Sequence, residues 1–409
     1  MLKNYFKIAI AVFKRNKFFT FISLFGISFT LTILLVLTAF VDKVLNDNYP
    51  DKKRDRLLYI NRLEQRSKDG MMSGTMSYYY LSHFTGKMKT PVKVAISSMF
   101  NGTNTYVNNK KIALNYKYTN AEYWDVLDFD FVEGKGFNKQ QVDHADRVAI
   151  ISEDIKKQYF GDVGPVVGKY IEADNVNYRV LGVVKSVPVT DYMFYSDIYL
   201  PYTISKGGDY KSKGYSGGYM GVLLANSASD VPKMHEEYEA LVKRIPPERK
   251  DYTQIHSHAN TFLYAFLDTG NDGKSGVMIV VTAISIFVFI FTLLPTLNLV
   301  NINITRIMER SSEIGVRKAF GASSKTLVYQ FIVENLILTI LGGILGTVLA
   351  GIVLYAINHA DLIANLELTI NFTVLFIGVL LCVVFGFVSG VYPAWRMSKL
   401  NVVTALKAQ

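Results

Sequence analysis

The sequence predicts an α-helical membrane protein with four transmembrane helices and a large α/β extracytoplasmic domain inserted between helices 1 and 2. Half of the 409 residues are hydrophobic, and only 19% are charged. The apolar residues gather into four windows that hold no Asp, Glu, Lys or Arg: 18–41, 275–305, 335–360 and 368–395. Each window exceeds the roughly 20 residues that a helix needs to cross a hydrocarbon core about 30 Å thick. The segment 42–274 separates the first two windows and is far too long for a simple loop.

Composition excludes several classes of protein before any motif is considered. The hydrophobic fraction is too high for a disordered or collagen-like chain. Cys382 is the single cysteine, so neither an intrachain disulfide nor a multi-cysteine metal site can form. The net charge of +10 is compatible with a nucleic acid or a membrane partner. Segment 42–274 is nearly neutral, however, which argues against nucleic-acid binding.

The positions of the basic residues predict the orientation. Segments 1–17, 306–334 and 396–409 carry 13 of the 44 Lys and Arg residues in a small part of the chain. By the positive-inside rule these three segments are cytoplasmic, while 42–274 and the short loop 361–367 lie outside. Four spans return both termini to the cytoplasm. This topology predicts a multi-pass membrane protein.

Segment 1–17 is predicted to be a basic amphipathic helix on the inner membrane surface. Leu2, Phe6, Ala9, Ile10 and Phe13 would share one helical face, with lysines opposite. A plain charged flank that only sets topology is the alternative. The window 18–41 is longer than the apolar core of a signal peptide and has no small-residue cleavage site after it, so we expect a retained helix.

The four windows contain no Asp, Glu, Lys or Arg, and this absence argues against an ion-coupled pump, because ion pathways usually need ionisable groups within the membrane. Small residues instead recur at helix-packing spacing in the third and fourth windows. They predict close helix–helix contact, and they are Gly342, Gly346, Ala350, Gly386 and Gly390.

Segment 42–274 is predicted to be a two-lobed α/β domain. Two strand–helix–strand groups, near 57–100 and 219–257, would pair with each other, and the middle section at about 101–218 would be an insertion. Its candidate catalytic and metal motifs fail. His256 and His258 share a strand face but have no third ligand nearby, and the chain contains no G-x-S-x-G or H-E-x-x-H motif. We expect no catalytic residue, no metal site and no enzymatic activity in this chain.

The linker 306–334 carries charges at helical spacing, with Gly315 and Gly321 able to end or cap short helices. This pattern fits a helix that docks into a groove on a cytoplasmic partner, and it fits a solvated connecting loop equally well.

The run from Glu313 to Ala322 (EIGVRKAFGA) resembles the permease domain of the MacB/FtsX-like ABC transporters. The tail 392–406 (YPAWRMSKLNVVTAL) is similar to that family's ending. In the outer segment, 120–127 (NAEYWDVL), 133–137 (EGKGF) and 148–161 (VAIISEDIKKQYFG) resemble its extracytoplasmic domain. The order of one helix, a large domain and three helices also matches.

The resemblance implies a permease subunit in the bacterial cytoplasmic (inner) membrane. This subunit would pair with a second permease, identical or homologous, and with a dimer of cytoplasmic ABC ATPase subunits. ATP and Mg²⁺ would be bound by that ATPase, so no cofactor is expected in this chain, whose largest predicted cytoplasmic piece has only 29 residues. Segment 309–322 would be the coupling helix. Its candidate residues are Glu309, Arg310, Glu313, Ile314, Gly315, Arg317, Lys318, Gly321 and Ala322.

In this interpretation ATP cycles move the outer domain through a stalk formed by the first two spans, which is mechanotransmission rather than carriage through a pore. Three functions remain open for such a subunit: efflux, lipoprotein release and control of a cell-wall hydrolase. Its further partner would be a periplasmic adaptor, a lipoprotein or a hydrolase. The main alternative is an ATPase-independent sensor or scaffold whose outer domain binds a ligand or protein. A membrane-bound hydrolase is disfavoured because no nucleophile–base motif is present.

Overall fold

The structure is a computed structural model that describes residues 2–46, 49–107, 110–267, 276–309 and 324–360, together with 316, 366, 368–373, 375–380, 383–384 and 387. The chain divides into two compact units. The helical unit comprises residues 1–45, 281–362 and 367–409, and the α/β unit comprises residues 46–280 and 363–366.

Among the described residues, four helices of 14 or more residues lie towards the two ends of the chain. They are α1 (Leu2–Arg15), α2 (Lys17–Asn46), α9 (Gly276–Glu309) and α10 (Ser324–His359). Two of their stretches, Lys17–Lys43 and Ile332–His359, are long and apolar enough to cross a membrane. The apolar stretch Gly276–Phe291 of α9 is shorter. Of the 28 residues in the window 368–395, 13 lie outside the described residues, so the count of four spans stays a prediction.

Helix α1 (Leu2–Arg15) lies within the predicted range 1–17. Ala9 and Val12 are buried, whereas Ile10 is 39% exposed. Because α1 packs against α10, the face that it buries is set by a neighbouring helix as well as by its own amphipathic pattern. The position of this helix on the inner membrane surface stays a prediction.

The strands and short helices of the α/β unit alternate along the chain. The strands are β1 (Leu57–Ile60), β2 (Leu63–Ser67), β3 (Met71–Gly74), β4 (Pro91–Ser98), β5 (Asn101–Val107), β6 (Lys110–Thr119), β7 (Phe131–Gly134), β8 (Val148–Ser152), β9 (Tyr170–Ala173), β10 (Val176–Val184), β11 (Ile198–Pro201), β12 (Tyr219–Ala225) and β13 (Tyr252–His256). The helices are α3 (Tyr78–Tyr80), α4 (Tyr123–Val126), α5 (Lys139–Asp143), α6 (Glu153–Ile155), α7 (Val231–Val242) and α8 (Phe262–Phe266). Helices α3 and α6 each continue into a five-residue π-helical turn.

Ten strands form one mixed sheet in the order β1-β12-β4-β6-β11-β8-β10-β7, with β5 beside β6 and β9 beside β10. Strand β12 lies between β1 and β4 and is antiparallel to both, so β1, α3 and β4 form a split β-α-β unit. Strands β8 and β12 are buried along their whole length. Helices α3, α6 and α7 contribute to the core on one face of this sheet, and α4, α5 and α8 contribute to the core on the other.

The outer pieces of the segment pair with each other as expected, through β1, β12 and β4. In the large sheet, β4 pairs with β6 of the middle section at Ser97 and Thr119. The second predicted group has its strand, helix and strand in β12, α7 and β13. Its two strands do not share a sheet, because β13 pairs with β2 in a separate three-stranded sheet, β13-β2-β3. The proposed division into two lobes stays a prediction.

Candidate functional site

Of the coupling-helix candidates, the structure describes only Glu309, which is the last residue of α9. The others lie outside the described residues, and they are Arg310, Glu313, Ile314, Gly315, Arg317, Lys318, Gly321 and Ala322. Their proposed role therefore depends on the sequence and on the family.

The small residues of α10 lie where α10 meets α2. A Cβ added at Gly342 would come within 2.7 Å of Ile27, and one added at Gly346 would come within 2.8 Å of the backbone oxygen of Ser28. The Thr32 hydroxyl donates to the Gly346 carbonyl oxygen at 3.1 Å. One turn further along α10, Ala350 is fully buried with Leu31. Gly386 and Gly390 lie outside the described residues.

A buried polar cluster lies where the chain enters the α/β unit, shortly after α2 ends at Asn46. Asp51 is fully buried and accepts two bonds from the Arg54 guanidinium, from Nε and from Nη2, both at 2.9 Å. The Tyr59 hydroxyl donates to the same carboxylate at 2.5 Å. The i, i+3 spacing of Asp51 and Arg54 across a short helical turn makes this bidentate pairing local.

The same residues hold the segment through which the chain leaves the unit. The Arg54 guanidinium lies 3.6 Å from the ring centroid of Phe262, and the Tyr59 ring meets Phe262 edge-on at 5.6 Å. The backbones of Tyr59 and Asn260 exchange two hydrogen bonds, of 2.7 and 2.9 Å, and Asn61 Nδ2 donates to the Ala265 carbonyl oxygen at 2.7 Å. We call residues 49–61 and 260–266 the junction. It joins the two ends of the α/β unit, which lie about 200 residues apart in the chain.

The electrostatics of the junction act on Arg54 and on Tyr59. Burial opposes the charge of Arg54, but the hydrogen bond and the charge of Asp51 outweigh it and raise the pKa of Arg54. Burial and the Asp51 carboxylate raise the pKa of Tyr59 well above its usual value, so its hydroxyl remains a donor. Breaking a pair of this kind leaves one charge buried without compensation.

A second buried charge, Lys117 of β6, lies in the same core. Its side chain is fully buried, and Nζ donates to the carbonyl oxygen of Met193. The ring centroid of the next residue, Phe194, lies 6.1 Å from that of Tyr59. The segment around residue 193 therefore connects Lys117 to the junction. Burial lowers the pKa of Lys117 to about 7, although the nearby Asp191 acts in the opposite direction.

Lys117 should make the α/β unit more stable as the pH rises from about 7 to about 10. The folded pKa of about 7 lies below the unfolded value, which is roughly 10.4. The unfolded chain therefore binds more protons over this range, and the free energy of unfolding increases by at most about 1.4 kcal/mol per pH unit. Thermal unfolding of the purified chain, followed by Trp124 fluorescence in a Trp395→Phe background, measures this slope. In a Lys117→Met variant the increase of stability with pH that Lys117 causes should disappear. If the slope of stability against pH is the same in this variant, Lys117 is not its source.

The histidines that the sequence singled out make ordinary contacts. His258 Nδ1 lies 2.8 Å from a Glu239 carboxylate oxygen, and His256 Nε2 lies 3.3 Å from the Gln254 side-chain oxygen. Among the described residues, no three His, Cys, Asp or Glu side chains come together in a way that could hold a metal ion. The expectation of a chain without a metal site stays a prediction.

Comparison with protein families assigns both parts of the chain. Residues 20–241 match the family model of the MacB-like periplasmic core domain, and residues 285–402 match that of the FtsX-like permease C-terminal domain. The chain belongs to the MacB/FtsX-like family of ABC transporter permeases. As a member of that family it is a membrane protein with a large domain outside the membrane, and the resemblance drawn from the linker and tail motifs is confirmed.

Several curated relatives within this family are named as transport proteins. The pyoverdine export ATP-binding/permease protein PvdT of Pseudomonas aeruginosa is 27% identical over 71% of this chain and 42% of its own length. The macrolide export ATP-binding/permease protein MacB of Acinetobacter baylyi is 24% identical over 78% of this chain and 46% of its own length. The uncharacterized ABC transporter permease YknZ of Bacillus subtilis is 26% identical over 70% of this chain and 68% of its own length. The chain thus spans less than half of the two ATP-binding/permease relatives.

Solved structures give a weaker likeness. The periplasmic region of MacB from Actinobacillus actinomycetemcomitans is 18% identical and has a TM-score of 0.36, covering 52% of this chain and 93% of that one. A score of this size does not by itself establish a common fold.

Proposed function

We propose that this chain is the permease subunit of an ABC transporter in which a separate cytoplasmic ATPase moves the outer domain. The observation that carries the proposal is that one chain matches both the MacB-like periplasmic core and the FtsX-like permease region. The proposed topology has four spans, cytoplasmic termini and the α/β unit outside. The chain itself is non-catalytic in this proposal.

The junction supports transmission of force. Helix α2 ends at Asn46, five residues before Asp51, and α9 begins at Gly276, ten residues after Phe266. Residues 59–61 and 260–265 are hydrogen-bonded to each other within the α/β unit. Force delivered to either end of the unit would therefore act on the same bonded group of residues.

The charge-free windows support mechanotransmission over carriage through this subunit. A path for a hydrophilic cargo through the bilayer usually needs ionisable or polar side chains facing a cavity. The four windows contain no Asp, Glu, Lys or Arg. Work would instead be done on a cargo or a partner beyond the membrane.

The proposed partners are a dimer of ABC ATPase subunits, which bind ATP and Mg²⁺, and a second permease subunit. The run 309–322 would dock on the ATPase, because its alternating charges and glycines suit a short helix in a groove. The relatives named for pyoverdine and macrolide export support export as the work performed, with a periplasmic adaptor as the expected outer partner. Lipoprotein release and hydrolase control share the same architecture.

Purification from native membranes tests the proposal. We expect an ABC ATPase to co-purify, and we expect Glu313→Arg combined with Arg317→Glu to lower its recovery by about tenfold, because reversing charges at a docked helix creates like-charge contacts. Lys157→Glu combined with Glu172→Lys, two charge reversals in the α/β unit, is the control and should leave recovery unchanged.

If no ATPase co-purifies and the Glu313/Arg317 variant functions normally, the sensor or scaffold alternative replaces the proposal. Hydrolysis of model substrates by the purified chain, lost on mutation of a residue of the α/β unit, would instead establish a membrane-bound hydrolase.

A further inference from the structure

Helix α2 carries a row of exposed aromatic side chains that its packing does not explain. The four rings are 70%, 66%, 54% and 51% exposed in chain order, and we call them the phenylalanine stripe: Phe18, Phe21, Phe25 and Phe29. Successive rings stack, with centroids 6.1 Å apart for the second and third rings and 5.4 Å apart for the third and fourth. The opposite face of α2, at Ile27 and Leu31, packs against α10.

The stripe is confined to one half of the helix. Beyond Phe29, the residues of α2 as far as Lys43 are buried or half-buried. The eleven steps along the helix from Phe18 to Phe29 rise about 16 Å at 1.5 Å per residue, which is close to half of a hydrocarbon core about 30 Å thick. The stripe therefore has the length of one leaflet.

The stripe begins at a group of basic residues. Lys14, Arg15 and Lys17 are exposed and directly precede Phe18. Helices α1 and α2 are separated only by Asn16, whose amide donates to Val12 and whose carbonyl accepts from Thr20, so the two helices meet at a short bend. Cationic side chains thus lie at the end of a one-leaflet apolar surface, where a headgroup phosphate would be.

We propose that this face of α1 and α2 is a binding site for an anionic phospholipid. Its headgroup pairs with Lys14 and Lys17, and an acyl chain lies along the phenylalanine stripe. A second copy of the chain is the other candidate occupant, but a symmetric contact through this face would bring the basic groups of the two copies together. Like charges oppose that contact, whereas an anionic headgroup complements them, at roughly a factor of five in affinity per basic residue.

Native mass spectrometry of the full chain in detergent, titrated with phosphatidylglycerol or phosphatidylcholine, tests this site. We expect phosphatidylglycerol to bind at least about tenfold more tightly. Lys14→Gln with Lys17→Gln should remove that preference. Phe21→Ala with Phe25→Ala should weaken both lipids, because the contact along the acyl chain is lost.

Matched controls separate the site from general effects. Lys157→Gln with Lys233→Gln removes two exposed charges from the α/β unit, and Phe372→Ala with Phe376→Ala removes two exposed rings near the other end of the helical unit. Neither should change lipid binding. Equal affinity for the two lipids in the unmodified chain, or equal losses in the controls, would overturn the proposal. Unchanged phosphatidylglycerol binding, with loss of a permease dimer in the Phe21/Phe25 variant, would assign the stripe to a second copy.

Discussion

Replacing Asp51 with alanine is expected to lower the free energy of unfolding of the α/β unit by about 3 kcal/mol or more. The substitution removes the carboxylate that accepts two hydrogen bonds from Arg54 and one from the Tyr59 hydroxyl. Asp51 is 0% exposed, so these bonds are buried. The Arg54 charge would then be left without its carboxylate. For a unit of this size, the thermal midpoint should fall by about 6–12 °C.

The measurement is thermal unfolding of the purified full chain, with Trp124 as the reporter in the Trp395→Phe background. Asp143→Ala is the control, since Asp143 also pairs with a basic residue, Lys139, but both side chains are more than half exposed. An exposed pair contributes about 0–1 kcal/mol, so the control should leave the midpoint nearly unchanged. Equal shifts from the two substitutions would show that the junction does not hold the ends of the unit together.

Gly346→Leu should separate α10 from α2. The new side chain would begin with a Cβ 2.8 Å from the Ser28 backbone oxygen and 3.0 Å from the Leu31 Cβ, and backbone cannot move aside as a flexible side chain can. Overpacking of a close contact costs about 1–3 kcal/mol, and the Thr32 bond to the Gly346 carbonyl would be strained as well. We expect a large loss of folded protein, measured as the monodisperse fraction in detergent after heating.

Two substitutions on the same helix calibrate this result. Gly343→Leu adds the same side chain where a Cβ meets nothing within 4 Å. Leu338→Ile changes shape at a buried site without changing volume, a change that usually costs less than about 1.5 kcal/mol. Both should be mild. If Gly343→Leu is as damaging as Gly346→Leu, the close approach at Gly346 is not what holds the helices.

Much of the architecture follows from sequence because its signals are local. The charge-free run of residues 18–41 becomes helix α2, and the apolar run from Met220 to Leu224 becomes the fully buried β12. Strands β3, β5, β6, β7 and β9 are not apparent in the sequence, since polar, charged or glycine residues interrupt their apolar alternation. The run from Leu57 to Leu63 predicts a single strand, but the structure divides it into β1 and β2, and β2 joins a different sheet.

The junction could not be predicted for a different reason. The run from Asp51 to Arg56 holds six consecutive charged residues and reads as a solvated surface, yet Asp51 is fully buried. Its partners Arg54 and Tyr59 pack against Phe262, which no local pattern connects to residue 51. The burial of Lys117 could not be predicted either, because a lysine in a strand is normally expected to be exposed.

The most direct test of the proposed ATP-driven motion is a distance measurement between the two units. Cys382→Ser removes the single cysteine, and spin labels can then be placed at the exposed positions 233 and 355. With the partner ATPase bound, the distance distribution should shift between ADP and ATP with vanadate. The shift should vanish in the Glu313→Arg/Arg317→Glu variant. Identical distributions in the two nucleotide states of the unmodified chain would contradict mechanotransmission.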